Sequence, residues 1–365
     1  MSGEIGSGGD IELQHDYYAY DSGSTIEITE PNTIIDGRGA VIDMFGSNIR
    51  AFTVNASNVT IKNLTIKNAN CDMDGGAIYF NQSGTVINCS FTDNKVTSEH
   101  AGGAISGDDF KSIDCTFINN AAYRGGALHG GEAYNCSFIN NSADRDGGAI
   151  YKGNAYDCNF TENHAGNEGG AIFEGSTVGC YFISNSAYGG GALRGGEAYN
   201  CSFINNSADQ DGGAVHGCKA YDCTFSGNSA KYGGAFYENE AYNCDFTNNT
   251  ARENGGAVFK GKADNCNFTD NHAKEGGAMY EGTAGLCFLN TTSDTLHNTN
   301  ILPTFAVLKS FLRFDLADRL LFNLTGDNKN YDGYNTTITL AQDDNPVGVY
   351  YALSGSDEGW AMDLN

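Results

Sequence analysis

The chain has few basic residues, no long apolar run and few of the residues that favour helices. Only 20 lysines and arginines stand against 45 acidic residues, for a net charge of −25. This balance disfavours nucleic acids and anionic membrane surfaces as partners, because both require positive charge. No stretch of 18 apolar residues occurs, so we expect no membrane insertion by this chain. Leucine, lysine, glutamate and arginine are scarce, which argues against a helical fold.

A phrase of two glycines, an alanine and an apolar residue recurs along most of the chain and predicts a solenoid. From Ala127 onward its alanines are 21 or 22 residues apart, and a fixed period of this size is typical of solenoids. A unit this short cannot hold two packed helices, whereas three short strands joined by turns fit its length. The alanines are Ala77, Ala104, Ala127, Ala149, Ala171, Ala192, Ala214, Ala235, Ala257 and Ala278.

A second phrase, Cys-x-Phe-x-x-Asn, begins about ten residues after nine of the ten alanines. After the last alanine, Phe288 follows Cys287 at once and the terminal asparagine is missing. In residues 155–160 the alternation of a strand predicts that Tyr156, Cys158 and Phe160 point to one side. The cysteine and phenylalanine side is then buried, and the polar residues between them face solvent. Stacking such coils in parallel, about 4.8 Å apart, gives an all-β, single-stranded parallel β-helix.

The repeated positions are expected to stack into columns. The asparagines would form a ladder of side-chain amides at one turn, because stacked amides bond to each other and asparagine tolerates the left-handed conformation. The paired glycines would stack at a corner where positive φ or close backbone approach excludes a Cβ. The columns are Cys89, Cys115, Cys136, Cys158, Cys180, Cys201, Cys223, Cys244, Cys266 and Cys287; Phe91, Phe117, Phe138, Phe160, Phe182, Phe203, Phe225, Phe246 and Phe268; and Asn94, Asn120, Asn141, Asn163, Asn185, Asn206, Asn228, Asn249 and Asn271.

Ten of the 12 cysteines occupy one of these columns. Stacked neighbours would bring their Cα atoms within reach of a disulfide, but parallel Cα–Cβ bonds hold the Cβ atoms further apart than the usual ~3.8 Å. We therefore expect buried thiols that act as small apolar residues. Cys71 and Cys218 lie off the column, and Cys218 with Cys223 lacks the second pair that a zinc site needs.

The ends of the chain differ in style from the repeat, which suggests three parts. Residues 1–32 are predicted to form an N-terminal cap, because an open β-helix end would pair with other chains. Residues 33–295 are predicted as the β-helix, and residues 296–365 as a small β-sandwich-like module, short for an immunoglobulin-like domain. The first residues, MSGEIGSGGD, do not read as a signal peptide. We expect the chain to be a fragment of a longer protein.

One block of the repeat is duplicated more closely than packing requires. Residues 126–149 and 191–214 agree at 22 of 24 positions and begin 65 residues apart, which is three coils. Recent duplication is the simplest account. A protein whose role depends on its length or on a variable surface tolerates such a change, whereas an enzyme gains little from it.

Few residues have the arrangement that catalysis needs. The seven histidines form no cluster in the expected register. A polysaccharide lyase or hydrolase needs clustered carboxylates beside a basic residue, and the nearest such group is Asp36, Arg38 and Asp43. A β-turn at the start of the helix explains these residues without catalysis. We expect no catalytic, cofactor-binding or metal-binding residues.

Acidic residues before the glycine pairs are the one candidate for cation binding. They could hold a surface calcium ion weakly where two of them stack on adjacent coils, and only Asp146 and Glu168 do so. A solvated turn is the simpler interpretation. The acidic residues are Asp74, Asp146, Glu168, Asp211 and Glu275.

The two repeated phrases resemble the repeats of chlamydial polymorphic outer-membrane proteins. The cysteine before the phenylalanine, the segments TIIDGRGAVID and NVTIKNLTIKNA, and the tail LLFNLTGDN…VYYALSGSDEGWAMDL look still more like adhesin-like surface proteins of methanogenic archaea. This resemblance covers nearly the whole chain. It implies a right-handed, pectin-lyase-like β-helix at the cell surface, followed by immunoglobulin-like modules. No signal peptide or C-terminal anchor is recognised here, which departs from that pattern.

We therefore expect a non-enzymatic, extracellular adhesin-like protein. Its partners would be glycans or proteins on another cell, bound through the faces of the β-helix, whose outward Asn, Asp, Ser, Thr and Tyr side chains suit sugars. A polysaccharide lyase or hydrolase of the same fold is the main alternative. A mechanical stalk without a ligand is the second.

Overall fold

The computed structural model describes residues 9–20, 23–301, 306–308, 338–342 and 349–353. These residues contain strands and turns, and no helix occurs among them. The strands pair in parallel from one coil to the next and form a β-solenoid of about 13 turns. The predicted all-β parallel solenoid is therefore confirmed.

Each regular coil contains four short strands, not the three that the sequence predicted. We name them in chain order: the GGA strand follows the glycine pair, the AY strand comes next, the F strand carries the phenylalanine, and the SA strand precedes the next glycine pair. Left-handed residues such as Asp157 and Glu162, with φ of 52° and 56°, separate the last three. Because each such residue redirects the chain, one coil of 21 or 22 residues divides into more segments than its length suggests.

The strands of the regular coils form four ladders. The GGA strands are Ile78–Phe80, Ile105–Ser106, Leu128–His129, Ile150–Tyr151, Ile172–Phe173, Leu193–Arg194 and Val215–His216. The AY strands are Gly84–Ile87, Phe110–Ile113, Glu132–Tyr134, Asn154–Tyr156, Thr177–Val178, Glu197–Tyr199 and Lys219–Tyr221. In later coils one strand continues through both positions: Phe236–Tyr242, Val258–Asp264, Met279–Ala284 and Leu296–Ile301.

The other two ladders lie on the remaining sides of the coil. The F strands are Ser90–Thr92, Thr116–Ile118, Ser137–Ile139, Asn159–Thr161, Tyr181–Ile183, Ser202–Ile204, Thr224–Ser226, Asp245–Thr247, Asn267–Thr269, Cys287–Leu289 and Ala306–Leu308. The SA strands are Asn70–Cys71, Lys95–Val96, Ala121–Arg124, Ser142–Asp146, His164–Ala165, Ser186–Gly189, Ser207–Asp211, Ser229–Ala230 and Thr250–Ala251.

Parallel pairing extends beyond both boundaries proposed for the β-helix. Within the segment proposed as a cap, Asp10–Glu12, Tyr17–Ala19 and Ile26–Ile28 pair in parallel with the following coil. That coil comprises Ile34–Asp43 and Phe52–Val54, and Val59–Lys67 of the next coil pairs in parallel with Ile34–Asp43. Beyond residue 295, Leu296–Ile301 and Ala306–Leu308 continue the ladders. Farther on, Ile338–Gln342 and Val349–Leu353 form an antiparallel pair, and the rest of the proposed sandwich module lies outside the described residues.

The alternation predicted for residues 155–160 is correct for the F strand and wrong before it. Cys158 and Phe160 are buried, but so is Ala155, whereas Tyr156 is half-exposed. Asp157 between the two strands has a left-handed backbone, which breaks the two-residue period. Simple alternation therefore cannot be extended across this turn.

The phenylalanine column forms the centre of the core. Its nine rings are fully buried, and successive centroids lie 4.7–5.1 Å apart with interplanar angles of 3–8°. Offset stacking at this separation adds to the free energy gained by burying each ring. In the coil after Phe268, Leu289 takes the position of the phenylalanine.

The asparagine column is a continuous, buried hydrogen-bond ladder. Asn141 donates its Nδ2 hydrogens to Asn163 Oδ1, at 3.0 Å, and to the Phe117 carbonyl, also at 3.0 Å. Asn163 Oδ1 also accepts the Asn141 backbone N–H. The left-handed residue is the preceding one, Asn140 with φ of 52°, and not the ladder asparagine as predicted. The Asn163 side chain therefore accepts the Asn141 backbone N–H, which has no carbonyl partner at this turn.

Asp294 ends this ladder at the C-terminal side. Its Oδ1 accepts hydrogen bonds from Asn271 Nδ2, at 3.0 Å, and from the Asn271 backbone N–H, at 2.9 Å. A carboxylate accepts but does not donate, so it suits a position that needs no further partner. The side chain is 2 % exposed, and Thr291 Oγ1 donates to its second oxygen.

The glycine pair is required by two different constraints at one corner. Gly147 has φ of 68°, which disfavours a side chain. Gly148 lies against the next coil, where a Cβ would overlap the carbonyl oxygens of Gly170 and His164. The following Ala149 and Ile150 are both fully buried.

The cysteine column acts as a second hydrogen-bond ladder. Cys158 Sγ accepts a hydrogen bond from the Cys136 backbone nitrogen, 3.4 Å away. Its S–H donates to the Tyr156 carbonyl oxygen, 3.2 Å away. As at the asparagine corner, the preceding residue is left-handed. Burial raises the pKa of the off-column Cys218 thiol and of Cys266 well above the usual value. Cys218 and Cys266 are therefore protonated and unreactive at neutral pH.

We predict that most of the 12 thiols are free in the purified protein. A disulfide would remove the S–H donor and would need Cβ atoms closer than parallel stacking allows. The check is titration of the unfolded, unreduced chain with a thiol reagent, using the fully reduced chain as the control. A titre near zero would contradict the thiol ladder.

Candidate binding face

The group Asp36, Arg38 and Asp43 serves the structure locally. Asp36 accepts a hydrogen bond from Asn63 and lies 3.3 Å from Lys62 Nζ. Arg38 pairs with Glu12 at 2.8 Å. The charges of this group are therefore already balanced within the first coils.

Asp43 is also fully engaged. Its carboxylate lies 3.1 Å from Lys67 Nζ and accepts hydrogen bonds from Asn68 and Tyr17. Despite burial, the hydrogen bonds from Asn68 and its other donors lower its pKa to about 2, and the bond from Asn63 lowers that of Asp36. A general acid needs a raised pKa, so the geometry argues against acid–base catalysis here.

The two stacked acidic residues proposed as calcium ligands are balanced by arginines. Asp146 lies 3.5 Å from Arg124 Nε and 3.3 Å from Arg145 Nε, and Glu168 lies 2.7 Å from Arg194 Nε. This arrangement argues against a cation between them. Within the described residues no group of three or more His, Cys, Asp or Glu side chains is placed to hold a metal ion.

One surface of the solenoid varies in chemistry from coil to coil. We call it the corner face; it consists of the two residues before each glycine pair and the outward residue of the following GGA strand. The first set is Met73, Asp74, His100, Ala101, Tyr123, Arg124, Arg145, Asp146, Asn167, Glu168, Tyr188, Gly189, Gln210, Asp211, Lys231, Tyr232, Glu253, Asn254, Lys274 and Glu275. The outward residues are Tyr79, Ser106, His129, Tyr151, Phe173, Arg194, His216, Tyr237, Phe259 and Tyr280.

Residues of the corner face contact each other across neighbouring coils. A residue that immediately precedes a glycine pair meets the outward residue one coil further on. The Arg124 guanidinium lies over the Tyr151 ring, 5.4 Å from its centroid. The rings of Tyr232 and Phe259 are 5.3 Å apart. Side chains far apart in sequence are thus combined on one surface.

The densest polar group on this face joins three consecutive coils. Glu168 Oε2 pairs with Arg194 Nε at 2.7 Å, and Glu168 Oε1 lies 3.7 Å from His216 Nδ1. The His216 ring meets Tyr237 edge to face at 4.9 Å. Gly189 places no side chain beside this cluster; a Cβ on it would lie 3.4 Å from His216 Nδ1. Sequence reasoning missed this cluster, since it depends on the register between coils.

Burial shapes the protonation of this cluster. It lowers the pKa of His216 to about 4, with Arg194 acting in the same direction, so the imidazole is neutral at pH 7. Burial, with the negative charge of Glu238 and Glu168, raises the pKa of Asp211. Burial raises the pKa of Tyr237 to about 12, to which the Asp211 charge also contributes.

The duplicated blocks differ only on the corner face. At their two differing positions, His129 of the first block corresponds to Arg194 of the second, and Arg145 corresponds to Gln210. All four residues belong to this face. The outward residues of the duplicated F strands are identical, although they are also solvent-facing. Exposure alone therefore does not account for where the two copies have diverged.

The outward tyrosines are stacked and present their edges to solvent. Tyr134 and Tyr156 lie 4.8 Å apart, and Tyr237 and Phe259 lie 5.2 Å apart, each pair with nearly parallel planes. Because neighbouring rings cover each other's faces, a ligand meets mainly ring edges and hydroxyl groups. The Tyr134 hydroxyl donates to Glu132, which raises its pKa to about 12.

Comparison with known proteins agrees with the repeat architecture. The Chlamydia polymorphic membrane protein repeat matches residues 135–152, 157–173, 200–218, 222–237 and 243–260. These stretches make up less than half of the chain. They lie within the regular coils of the solenoid, so the match describes the repeat and not the whole chain. No curated protein matches the sequence significantly.

Several solved structures share distant likeness across most of the chain. A PL6 alginate lyase in complex with a trisaccharide has a TM-score of 0.47 and 10 % identity, covering 90 % of this chain and 86 % of the other. PfbA, a surface adhesin of Streptococcus pneumoniae, has a TM-score of 0.30 and 10 % identity, covering 98 % and 92 %. The A-module of Azotobacter vinelandii mannuronan C-5 epimerase AlgE4 has 0.29 and 12 %, covering 84 % and 91 %. These likenesses assign no activity or ligand to this chain.

None of the described residues belongs to a helix long and apolar enough to cross a membrane.

Proposed function

We propose that this chain is a non-enzymatic, cell-surface adhesin-like protein that binds glycans or proteins of another cell through the corner face. The observation that carries the proposal is the position of the differences between the duplicated blocks. Both fall on the corner face, while the core columns and the outward F-strand positions are unchanged. A solenoid that keeps its scaffold and varies one surface has the organisation of a binding protein.

The chemistry of the corner face suits polar ligands such as sugars. It offers carboxylates, guanidinium groups, imidazoles, amides and phenol hydroxyls at intervals of one coil. Many are half-buried and already positioned by contacts between coils, as Arg194 is by Glu168. Side chains held in place in this way lose less conformational entropy on binding than free ones.

An enzymatic role would have its best candidate in the Glu168, Arg194 and His216 cluster. A carboxylate, a guanidinium group and a neutral imidazole are the kinds of group that polysaccharide-degrading enzymes use. However, His216 Nδ1 is buried without a hydrogen-bond partner, and the Arg194 charge is balanced by Glu168. These two observations favour binding over proton transfer.

The first test measures binding and chain length together on a panel of acidic and neutral polysaccharides. We expect co-elution with at least one polysaccharide, whose chain length stays unchanged. Replacing Arg194 by alanine should weaken that binding about tenfold, the loss expected for one charged hydrogen bond. Arg194→His is a second variant, because the duplicate block already carries a histidine there at His129.

The matched control is Tyr181→Ala, which removes an exposed aromatic ring, 52 % accessible, from the F-strand face. It should leave binding unchanged. A loss with Tyr181→Ala and none with Arg194→Ala would move the site to the F-strand face. Shortened polysaccharide chains would instead establish an enzyme, and binding to none would contradict the glycan proposal.

A further inference from the structure

Each of the two duplicated blocks contains two Asn-x-Ser sequences. They are identical between the blocks in sequence but differ in their hydrogen bonds. In the first block Asn135 and Asn140, and in the second Asn200 and Asn205, each precede a serine by two residues. Such a sequence is the acceptor motif for N-linked glycans in proteins exposed outside the cell. All four asparagines are exposed and lie at left-handed turns with φ of 50–54°.

The side chains in the first block are held by the preceding coil. Asn135 Nδ2 donates to the Asp114 carboxylate at 2.6 Å, and Asn140 Nδ2 donates to Asn119 Oδ1 at 2.8 Å. These contacts belong to exposed ladders of Asn and Asp side chains that run along both edges of the F strands. The nitrogen that would become glycosylated is thus engaged as a donor.

In the second block the same side chains make no such hydrogen bond. Gly179 stands one coil before Asn200, and Ser184 one coil before Asn205. Gly179 offers no acceptor side chain, and no side-chain hydrogen bond of Asn200 or Asn205 occurs within the described part of the chain. The duplicated block therefore supplies a natural comparison, in which the acceptor turns have the same sequence and the preceding coil differs.

We propose that Asn200 and Asn205 are acceptor sites for N-linked glycans in the folded chain, and that Asn135 and Asn140 are modified much less. The donor would be a polyprenyl-pyrophosphate-linked oligosaccharide. The asparagine Nδ2 forms a bond to the anomeric carbon, the bond from that carbon to the pyrophosphate oxygen breaks, and one amide proton passes to a base of the transferase. Nδ2 atoms free of a hydrogen bond can move toward the donor without first breaking one.

The positions of these sites are compatible with the corner face. Both acceptor turns flank the F strand, and neither belongs to the corner face. Attached glycans would therefore leave the proposed binding residues uncovered. The inference rests on the surface location in the proposed function, because glycosylation requires exposure to the transferase.

The test treats the purified, folded chain with an oligosaccharyltransferase that accepts Asn-x-Ser and with its lipid-linked donor. Trypsin cleaves after Arg145 in one block and after Arg194 in the other, so mass spectrometry can report the occupancy of each block. We expect Asn200 to be occupied about tenfold more than Asn135. Asn135 must first break its charge-assisted hydrogen bond to Asp114, whereas Asn200 has none to break. The same chain unfolded should show equal occupancy at both.

Two variants test the cause. Gly179→Asn restores an acceptor beneath Asn200 without creating a new motif, and should lower occupancy at Asn200 to the level of Asn135. Asp114→Gly should raise occupancy at Asn135. No modification at Asn200 and Asn205, or equal occupancy of all four sites in the folded chain, would overturn the proposal. Because the reaction uses purified protein, its failure would leave the polysaccharide-binding result unaffected.

Discussion

Replacing Asn163 by alanine is expected to lower the free energy of unfolding by about 3–5 kcal/mol. Asn163 occupies the middle of the buried ladder, where its Oδ1 accepts both the backbone N–H and the Nδ2 of Asn141. Its own Nδ2 donates to the Phe138 carbonyl and to Asn185 Oδ1. The substitution removes all four hydrogen bonds and leaves several polar groups buried without a partner, each costing about 1–3 kcal/mol.

The control for this change is Asn159→Ala in the same coil. Asn159 is exposed on the F strand, so its replacement should change stability by less than about 0.5 kcal/mol. Chemical denaturation of both variants measures the difference. Equal stability of the two variants would contradict the view that the ladder satisfies backbone donors at this corner.

The cysteine and asparagine columns solve the same problem at two corners. In both, a left-handed residue comes first and the side chain of the next residue points inward. The asparagine accepts a backbone N–H from the previous coil, and the cysteine does so at four steps of its column. A thiol does this at the entry to the F strand, and an amide at its exit. This shared role explains why the repeat keeps a cysteine where a small apolar residue would fill the space.

The solenoid was predictable because its repeated phrases recur in the sequence at a nearly constant spacing. Spacing of the Gly-Gly-Ala and Cys-x-Phe-x-x-Asn phrases fixes which residues stack, so the phenylalanine and asparagine columns follow without knowing any coordinates. The direction of Tyr156 did not follow. The left-handed conformation of Asp157 reverses the alternation, and both aspartate and asparagine adopt either conformation, so the sequence does not show the break.

The group of Glu168, Arg194 and His216 on the corner face was harder to predict for a different reason. Glu168, Arg194 and His216 lie in three separate coils, and each alone is an ordinary surface residue. Their contact depends on a residue before one glycine pair reaching the outward residue one coil later. That offset arises from the shape of the corner and has no counterpart in the spacing of the repeat. Asp36 and Asp43, in contrast, were close in sequence and proved to be locally balanced.

Replacing Gly148 by alanine is expected to lower the free energy of unfolding by about 4 kcal/mol or more. A Cβ there would overlap the carbonyl oxygens of Gly170 and His164, which are backbone atoms of the adjoining coil. Such atoms cannot yield as a flexible side chain can, so adjacent coils would have to separate and lose ladder hydrogen bonds.

Gly195→Ala provides the matched comparison for this expectation. Gly195 also has a positive φ, 69°, but a Cβ there would meet only Glu174 Cγ, at 3.7 Å. Its replacement should therefore cost only the left-handed strain, about 1–2 kcal/mol. Thermal and chemical denaturation of both variants measure the two costs. If Gly148→Ala were no worse than Gly195→Ala, close approach of coils would not be what requires the second glycine, and backbone conformation alone would explain the pair.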